Sequence, residues 1–241
     1  MTTDRLELLL AFGIVAVYLL DATRFLRPRE ALVERLGTGR WRVLFGAVRF
    51  ELLGRRPALP NPLRPDRALC LANWRPAAGA AVQPAVAAWP VMQPAGIALG
   101  WLCTALLVIV ILTAPTLLLI GESLWFAVAI GAGYLVALAA AAVLVVRAGE
   151  FGLGRWPAAG IAAIGVVCLP CAPNLLRAAC GSRTLSVELP AFAEASAAAA
   201  DRRGFRPRFA RVLRSELMAG SDDPRQDEEL RLILRRIEAQ P

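Results

Sequence analysis

The residues with the clearest chemical potential lie in one short segment, CLPCAPN at residues 168–174. Cys168 and Cys171 are three residues apart, and cysteines at this spacing on a helical turn can meet. A thiol pair of this kind can exchange with disulfides. The segment is also apolar, so the same two residues would serve as small fillers beside a proline break. The pattern therefore predicts either a redox pair or a structural turn.

Proline and polar residues follow at once. Pro170 and Pro173 are three residues apart, and each removes a backbone donor and clashes with the preceding turn, which predicts a break in a helix. Asn174 and Arg177 come directly after the break. A broken helix whose polar end lies inside a bundle is one way in which transporters build a site. These residues are therefore candidates for a transport site, although the chain has no internal repeat.

The composition excludes several classes of catalysis. The chain has no histidine, and all 27 basic residues are arginine, with a net charge of +8. Histidine-based triads, histidine general bases and histidine-ligated metals are thus excluded, as are Schiff-base and P-loop lysines. We expect no metal and no cofactor. The five cysteines are odd in number and lack the spacing of a disulfide framework: Cys70, Cys103, Cys168, Cys171 and Cys180.

Long apolar runs dominate the elements that must position these residues. The chain is 57% hydrophobic, and runs of about 20 apolar residues match the thickness of a bilayer. We predict membrane helices at 97–119 and 124–146 and a broken or re-entrant helix at 157–177. Residues 6–26 predict an uncleaved first membrane helix, with an interfacial helix as the alternative. The fold class is mainly α, a polytopic membrane protein with three to four transmembrane helices, a small β-rich insert and a helical tail.

The chain then divides into four parts. Residues 1–26 carry the first membrane helix, 27–95 a basic cytoplasmic segment, 96–177 the membrane block and 178–241 a basic amphipathic tail. Within the second part, residues 27–36 predict a short surface helix. Residues 38–75 predict a small β-rich module, with strands at 41–45, 48–53 and 68–72 and a proline-rich connector before the third strand. An alanine- and proline-rich linker follows.

The distribution of arginine predicts the orientation. Residues 24–75 hold 12 arginines and four acids, which favours the cytoplasm for this segment and the outside for the N-terminus. The tail from residue 177 holds 12 arginines and 10 acids. A break at 157–177 would keep the tail in the cytoplasm, whereas a fourth full span would place it outside. The location predicted is the inner membrane of a bacterium.

The tail has two amphipathic stretches. Residues 205–217 place five apolar side chains on one face, which are Phe205, Phe209, Val212, Leu213 and Leu217. The arginines lie largely elsewhere and are candidates for an anionic lipid surface: Arg206, Arg208, Arg211 and Arg214. A final helix begins near Pro224, which suits a first helical position. Its stripe and the first one could instead pack on each other, on the β module or on a partner protein.

These features favour a non-catalytic inner-membrane protein, a scaffold or accessory subunit. Its cytoplasmic parts would dock on anionic lipid headgroups and on a protein partner or a second copy, and not on nucleic acid. One alternative is a membrane thiol-disulfide oxidoreductase that uses Cys168 and Cys171. The other is a small oligomeric transporter or channel built on the broken helix at 170–177.

Overall fold

The structure, a computed structural model, describes residues 3–27, 30–37, 40–47, 55–73, 94–181, 184–186, 189, 199–219 and 224–239. It is mainly helical with a small β part. The chain divides into two compact units. Unit 1 comprises Met1–Thr23, Leu59–Ala68 and Ala87–Ser182, and unit 2 comprises Arg24–Ala58, Leu69–Val86 and Arg183–Pro241.

Unit 1 is a helical bundle. Its helices are α1 (Thr3–Ala22), α2 (Pro94–Leu119), α3 (Ser123–Val146), α4 (Arg155–Val167) and α5 (Leu175–Gly181). Two of them, α2 and α3, are long and apolar enough to cross a membrane, and they lie where apolar helices are predicted. The first helix ends short of its predicted end at residue 26, because the residues that follow Thr23 form a strand.

Helix α2 contains a segment with more residues per turn than an α-helix. Residues Leu107–Thr113 form a π-helix, and the backbone N–H of Ala114 donates to the carbonyl of Ile109. Pro115 follows, and a proline in an α-helix clashes with the carbonyl four residues earlier. In the π turn before Pro115 the backbone bonds reach five residues back instead of four, which changes the position of the carbonyl that the proline ring faces. Such turns occur mostly as single bulges in α-helices. The helix continues beyond the proline to Leu119.

The third apolar run is interrupted and folds back. Helix α4 ends at Val167, a 3₁₀ segment covers Leu169–Asn174, and α5 follows. Leu175 packs on Gly165, since a Cβ at Gly165 would lie 2.7 Å from a methyl carbon of Leu175. Ten residues of continuous helix would separate these positions by about 15 Å. The run is therefore a helical hairpin, which we call the 155–181 hairpin.

The turn of the hairpin lies deep in unit 1. Leu169 is buried, and its side chain meets the position of a Cβ on Gly133, at 3.4 Å. Val110 approaches the same point at 2.9 Å. Gly133 and Val110 lie near the middle of α3 and α2, so the chain turns at mid-depth of the bundle.

Unit 2 contains two small sheets. A four-stranded sheet has the order β3-β2-β5-β6, in which β2 is Glu30–Gly37, β3 is Arg40–Leu44, β5 is Leu69–Asn73 and β6 is Thr184–Ser186. Strands β2, β3 and β5 pair antiparallel, and β6 pairs parallel with β5. A two-stranded ribbon joins β1 (Arg24–Leu26) to β4 (Arg56–Ala58). The sheet thus takes strands from both the front segment and the tail.

The predicted surface helix at 27–36 is wrong. This stretch contains β2, a central strand with neighbours on both sides. Ala31, Leu32, Val33 and Glu34 are all buried, which removes the alternation of buried and exposed residues by which a half-exposed strand is recognised. Glu34 is accommodated because Arg42 lies opposite it on β3 and pairs with its carboxylate at 2.9 Å. The predicted strand at 48–53 lies outside the described residues.

Two helices complete unit 2. Helix α6 spans Ala199–Ala219 and α7 spans Pro224–Glu238. The apolar face of α6 is buried at Phe205, Phe209, Val212 and Leu213. Phe45 covers it, with its ring centroid 5.5 Å from that of Phe209 in a stacked arrangement. Helix α7 begins at Pro224 as predicted.

Candidate functional site

A buried arginine holds the α5 arm of the 155–181 hairpin. Arg177 on α5 is only 1% exposed. Its Nη2 donates to the backbone carbonyls of Asn61 and Arg64, the latter at 2.8 Å. Its Nη1 donates to Oδ1 of Asn174 at 3.3 Å. The planar guanidinium offers donors in fixed directions, so one side chain fixes the hairpin to the segment Leu59–Ala68, which we call the 59–68 loop.

Asn174 links the same hairpin to α1. Its side chain is 1% exposed, and Nδ2 donates to Oδ2 of Asp21 at 2.9 Å and to the carbonyl of Tyr18 at 3.4 Å. The hydroxyl of Tyr18 donates in turn to the carbonyl of Pro62. The 59–68 loop is therefore held from α1 and from the hairpin. Tyr18, Asp21, Asn174 and Arg177 form what we call the polar cluster.

The 59–68 loop has its own ion pair. Arg64 donates to both carboxylate oxygens of Asp66, at 3.0 and 2.9 Å. Burial raises the pKa of Asp66, but the hydrogen bonds and charge of Arg64 outweigh burial and hold that pKa below its ordinary value of 3.8. Asp66 also lies against Gly100 of α2, where a Cβ would be 3.6 Å away. The loop thus packs on the N-terminal part of α2.

The hairpin begins and ends on one side of the bundle. Pro94 and Ala95 at the start of α2 line a shallow groove together with Val146 and Arg147 at the end of α3. Helix α4 starts a few residues after that end of α3. Because the 59–68 loop lies near the start of α2, the bond from Arg177 to this loop returns α5 to the same side.

The two cysteines of the hairpin are neighbours. The Sγ atoms of Cys168 and Cys171 are 2.7 Å apart, and both residues are half-buried free thiols. Pro170 and Pro173 lie in the same 3₁₀ segment. Cys168 lies just before this segment, and the backbone N–H of Cys171 donates to its carbonyl at 2.8 Å, which closes a turn that brings the two side chains together. The other two cysteines of unit 1, Cys103 and Cys180, are buried.

The tail arginines lie on the outer side of α6. Arg208, Arg211 and Arg214 are exposed, and Arg206 is partly exposed. Arg214 pairs with Glu238 of α7 at 2.6 Å. Phe45 packs on Phe205 and Phe209, and Val212 and Leu213 are buried, so the exposed side chains described on α6 are mostly arginines. An interaction of this face would be electrostatic.

Sequence reasoning singled out Asn174 and Arg177, but it did not find their partners. It assigned no role to Tyr18. The acceptors of Arg177 are backbone carbonyls, which carry no residue-type signal. The available hint was that Tyr18 and Asp21, which carry a hydroxyl and a carboxylate, lie in the last turn of α1.

Two further observations bear on function. Among the described residues, no group of three or more histidine, cysteine or acidic side chains could hold a metal ion. Comparison of the chain with protein-family models, with curated proteins and with solved structures finds no match. The function therefore has to be argued from the geometry of the two units.

Proposed function

We propose that this chain is a non-catalytic integral protein of the bacterial inner membrane, a scaffold or accessory subunit. Unit 1 would anchor the chain, and unit 2 would dock on anionic lipid headgroups and a protein partner in the cytoplasm. The observation that carries the proposal is the use made of Asn174 and Arg177. Their hydrogen bonds go to other parts of unit 1, which supports a positioning role over a transport site.

The outer surface of unit 1 supports the membrane anchor. Large apolar side chains are exposed on it, among them Trp101, Leu135 and Val167 at 73%, 71% and 83%. Contiguous exposed apolar surface marks membrane or protein contact. Helix α1 has 20 residues, and its apolar part lies at residues 8–20 between Glu7 and Asp21. As a span it would need its flanking side chains to reach the membrane interface or the bilayer to thin locally. We therefore assign α1, α2 and α3 as the three spans.

The 155–181 hairpin would be re-entrant. Helix α4 has 13 residues, or about 20 Å, which is too short to cross about 30 Å of hydrocarbon. Because α5 returns to the side on which α4 starts, the tail that follows α5 would leave the membrane on the side where α1 ends. The arginines on that side favour the cytoplasm. Non-helical backbone at this depth must be covered by protein, and burial of Leu169 and Asn174 meets that condition.

Sidedness can be tested with single cysteines in the full chain. Met218 on α6 is 87% exposed, and Glu122 lies in the exposed turn between α2 and α3. With all native cysteines changed to serine, an impermeant maleimide should label Glu122→Cys in intact cells and Met218→Cys only in inverted vesicles. The cysteine-free parent is the control. Labelling of position 218 from outside would rule out the cytoplasmic tail.

Docking can be tested by charge reversal. The full chain in nanodiscs with phosphatidylglycerol should protect α6 from hydrogen exchange more than in neutral nanodiscs, and added salt should reverse this. Arg208→Glu with Arg211→Glu should remove the difference. Arg231→Glu with Arg235→Glu is the matched control, because those arginines lie beside Asp227 and Glu228. Equal exchange in both lipids would refute lipid docking.

The partner is tested separately. Purification of the full chain in mild detergent should recover a stoichiometric second protein, and the α6 double variant should recover less of it than the α7 control does. Recovery of the chain alone, from cells at native expression, would contradict the scaffold role while leaving the membrane topology intact.

A further inference from the structure

The turn of the 155–181 hairpin brings two thiols within reaction distance. Cys168 and Cys171 have Sγ atoms 2.7 Å apart, while a disulfide requires 2.03 to about 2.05 Å. The backbone N–H of Cys171 donates to the carbonyl of Cys168 at 2.8 Å, which closes one 3₁₀ turn. Pro170 between them has a fixed φ. A shift of well under 1 Å would therefore complete the bond.

The same pair is more accessible than the other thiols of unit 1. Cys103 is fully buried, with its Sγ 4.0 Å from the carbonyl of Ala172, and Cys180 is 2% exposed. Cys168 and Cys171 are half-buried, and the adjacent Val167 is 83% exposed. In a membrane bundle this exposed face would be surrounded by apolar lipid chains. Reagents that reach the pair would therefore be apolar themselves.

We propose that Cys168 and Cys171 are a redox-active dithiol that exchanges with disulfides of apolar character. One cysteine, as thiolate, attacks the incoming disulfide, forms a mixed disulfide and releases one thiol. The second cysteine, after losing its proton, attacks the protein sulfur of the mixed disulfide and releases the second thiol. The protein pair is oxidised by two electrons, the incoming disulfide is reduced to two thiols, and the two cysteine protons end on those thiols.

The product would be a covalent staple across the turn between α4 and α5. The staple joins positions that the 3₁₀ turn already holds together, so oxidation would leave the hairpin in place. This site goes beyond the docking function, because it adds a chemical reaction in unit 1 that does not involve the arginines of α6. The two can therefore fail independently.

The test uses the reduced full chain in mild detergent and 2,2′-dipyridyl disulfide, an apolar aromatic disulfide. The wild-type pair should release two pyridinethiones, and mass spectrometry should find the peptide with Cys168 and Cys171 two hydrogens lighter and carrying no adduct. Dithiothreitol should reverse the change. Single variants Cys168→Ser and Cys171→Ser should each release one pyridinethione and keep a pyridylthio group on the remaining cysteine. Cys180→Ser is the control and should behave as wild type.

Two results would overturn the proposal. In one, the wild-type peptide carries two pyridylthio groups, which would show that the two sulfurs do not reach each other. In the other, the wild-type peptide stays unmodified while the denatured chain reacts, which would show that the pair is closed to disulfides. Both are measured on the wild-type chain, so they hold even where a variant fails to fold.

Discussion

Each unit buries an arginine, and the two are used differently. In unit 1, Arg177 donates to two backbone carbonyls and a side-chain amide. In unit 2, Arg56 is 7% exposed and pairs with the carboxylate of Glu216 at 3.3 Å. Its Nη2 also donates to the hydroxyl oxygen of Ser215 at 3.4 Å. The first arginine joins chain segments through neutral acceptors, and the second joins β4 to α6 through a charge pair.

The two arginines differ in the acceptors that are left without a donor when the arginine is replaced. A buried ion pair can be replaced on both sides by apolar residues at little cost, whereas removal of one partner is strongly destabilising. Backbone carbonyls cannot be replaced. Any change at Arg177 therefore leaves the acceptors at Asn61 and Arg64 to find other donors, while a change at Arg56 can be compensated at Glu216.

The largest effect is expected for Arg177→Met, which keeps the length of the side chain and removes its donors. A buried acceptor left without its donor costs about 1–3 kcal/mol, and the bonds to Asn61 and Arg64 are only partly buried. The loss over the three acceptors should therefore lie in the lower part of a range of about 3–9 kcal/mol, at about 4 kcal/mol. At about 2–4 °C per kcal/mol this lowers the unfolding temperature by roughly 8–16 °C. Thermal unfolding of the full chain in mild detergent measures it.

Exposed Arg155 in α4 provides the matched control. Arg155→Met should unfold like the wild type, and Arg177→Lys should recover little, because a point charge does not reproduce the planar guanidinium. If Arg177→Met unfolds at the same temperature as the wild type, the polar cluster does not hold the hairpin.

A smaller effect is expected for the ion pair of unit 2. Glu216→Leu leaves Arg56 buried without this carboxylate and should cost about 3 kcal/mol. The double variant Arg56→Met with Glu216→Leu should regain most of that loss. A double-mutant cycle on the unfolding free energy gives the coupling. Additive losses in the cycle would mean that the two side chains act separately and that the contrast with Arg177 is false.

This contrast also explains what the sequence could and could not predict. Helices α2 and α3 were predictable because their apolar length is a local property of the chain. The break at Pro170 and Pro173 was predictable for the same reason, since proline acts on its own backbone. Neither needs knowledge of a distant residue.

The failures all involve partners on another element of the chain. Strand β2 was taken for a helix because Glu34 interrupts its apolar run, and only its cross-strand partner Arg42 makes that charge acceptable. Strand β6 was missed because it contributes only three residues, Thr184–Ser186, to a sheet built from the front of the chain. The partners of Arg177 are carbonyls more than a hundred residues away, which no local pattern encodes.

An intermediate effect on unit 1 is expected for Asn174→Leu. The change removes donors to Asp21 and to the carbonyl of Tyr18, and it removes the acceptor of Arg177 Nη1. A hydrogen bond to a charged group contributes about 1.5–3 kcal/mol. A loss of about 2 kcal/mol in unfolding free energy is therefore expected. Thr104→Val is the control, because Thr104 bonds only within its own helix turn in the described contacts. Equal losses for the two variants would remove Asn174 from the cluster.

The smallest effect is expected in the 59–68 loop and depends on pH. The pKa of Asp66 lies below its ordinary value of 3.8, so its pair with Arg64 stabilises unit 1 above that value and is lost as pH falls through the lower, folded pKa. The pair is partly exposed, with Asp66 at 34%, so the contribution should stay below about 1 kcal/mol. Unfolding temperatures of wild type and Arg64→Gln should thus converge between about pH 5 and pH 2. A difference that stays constant over this range would show that Arg64 supports the loop through contacts other than its pair with Asp66.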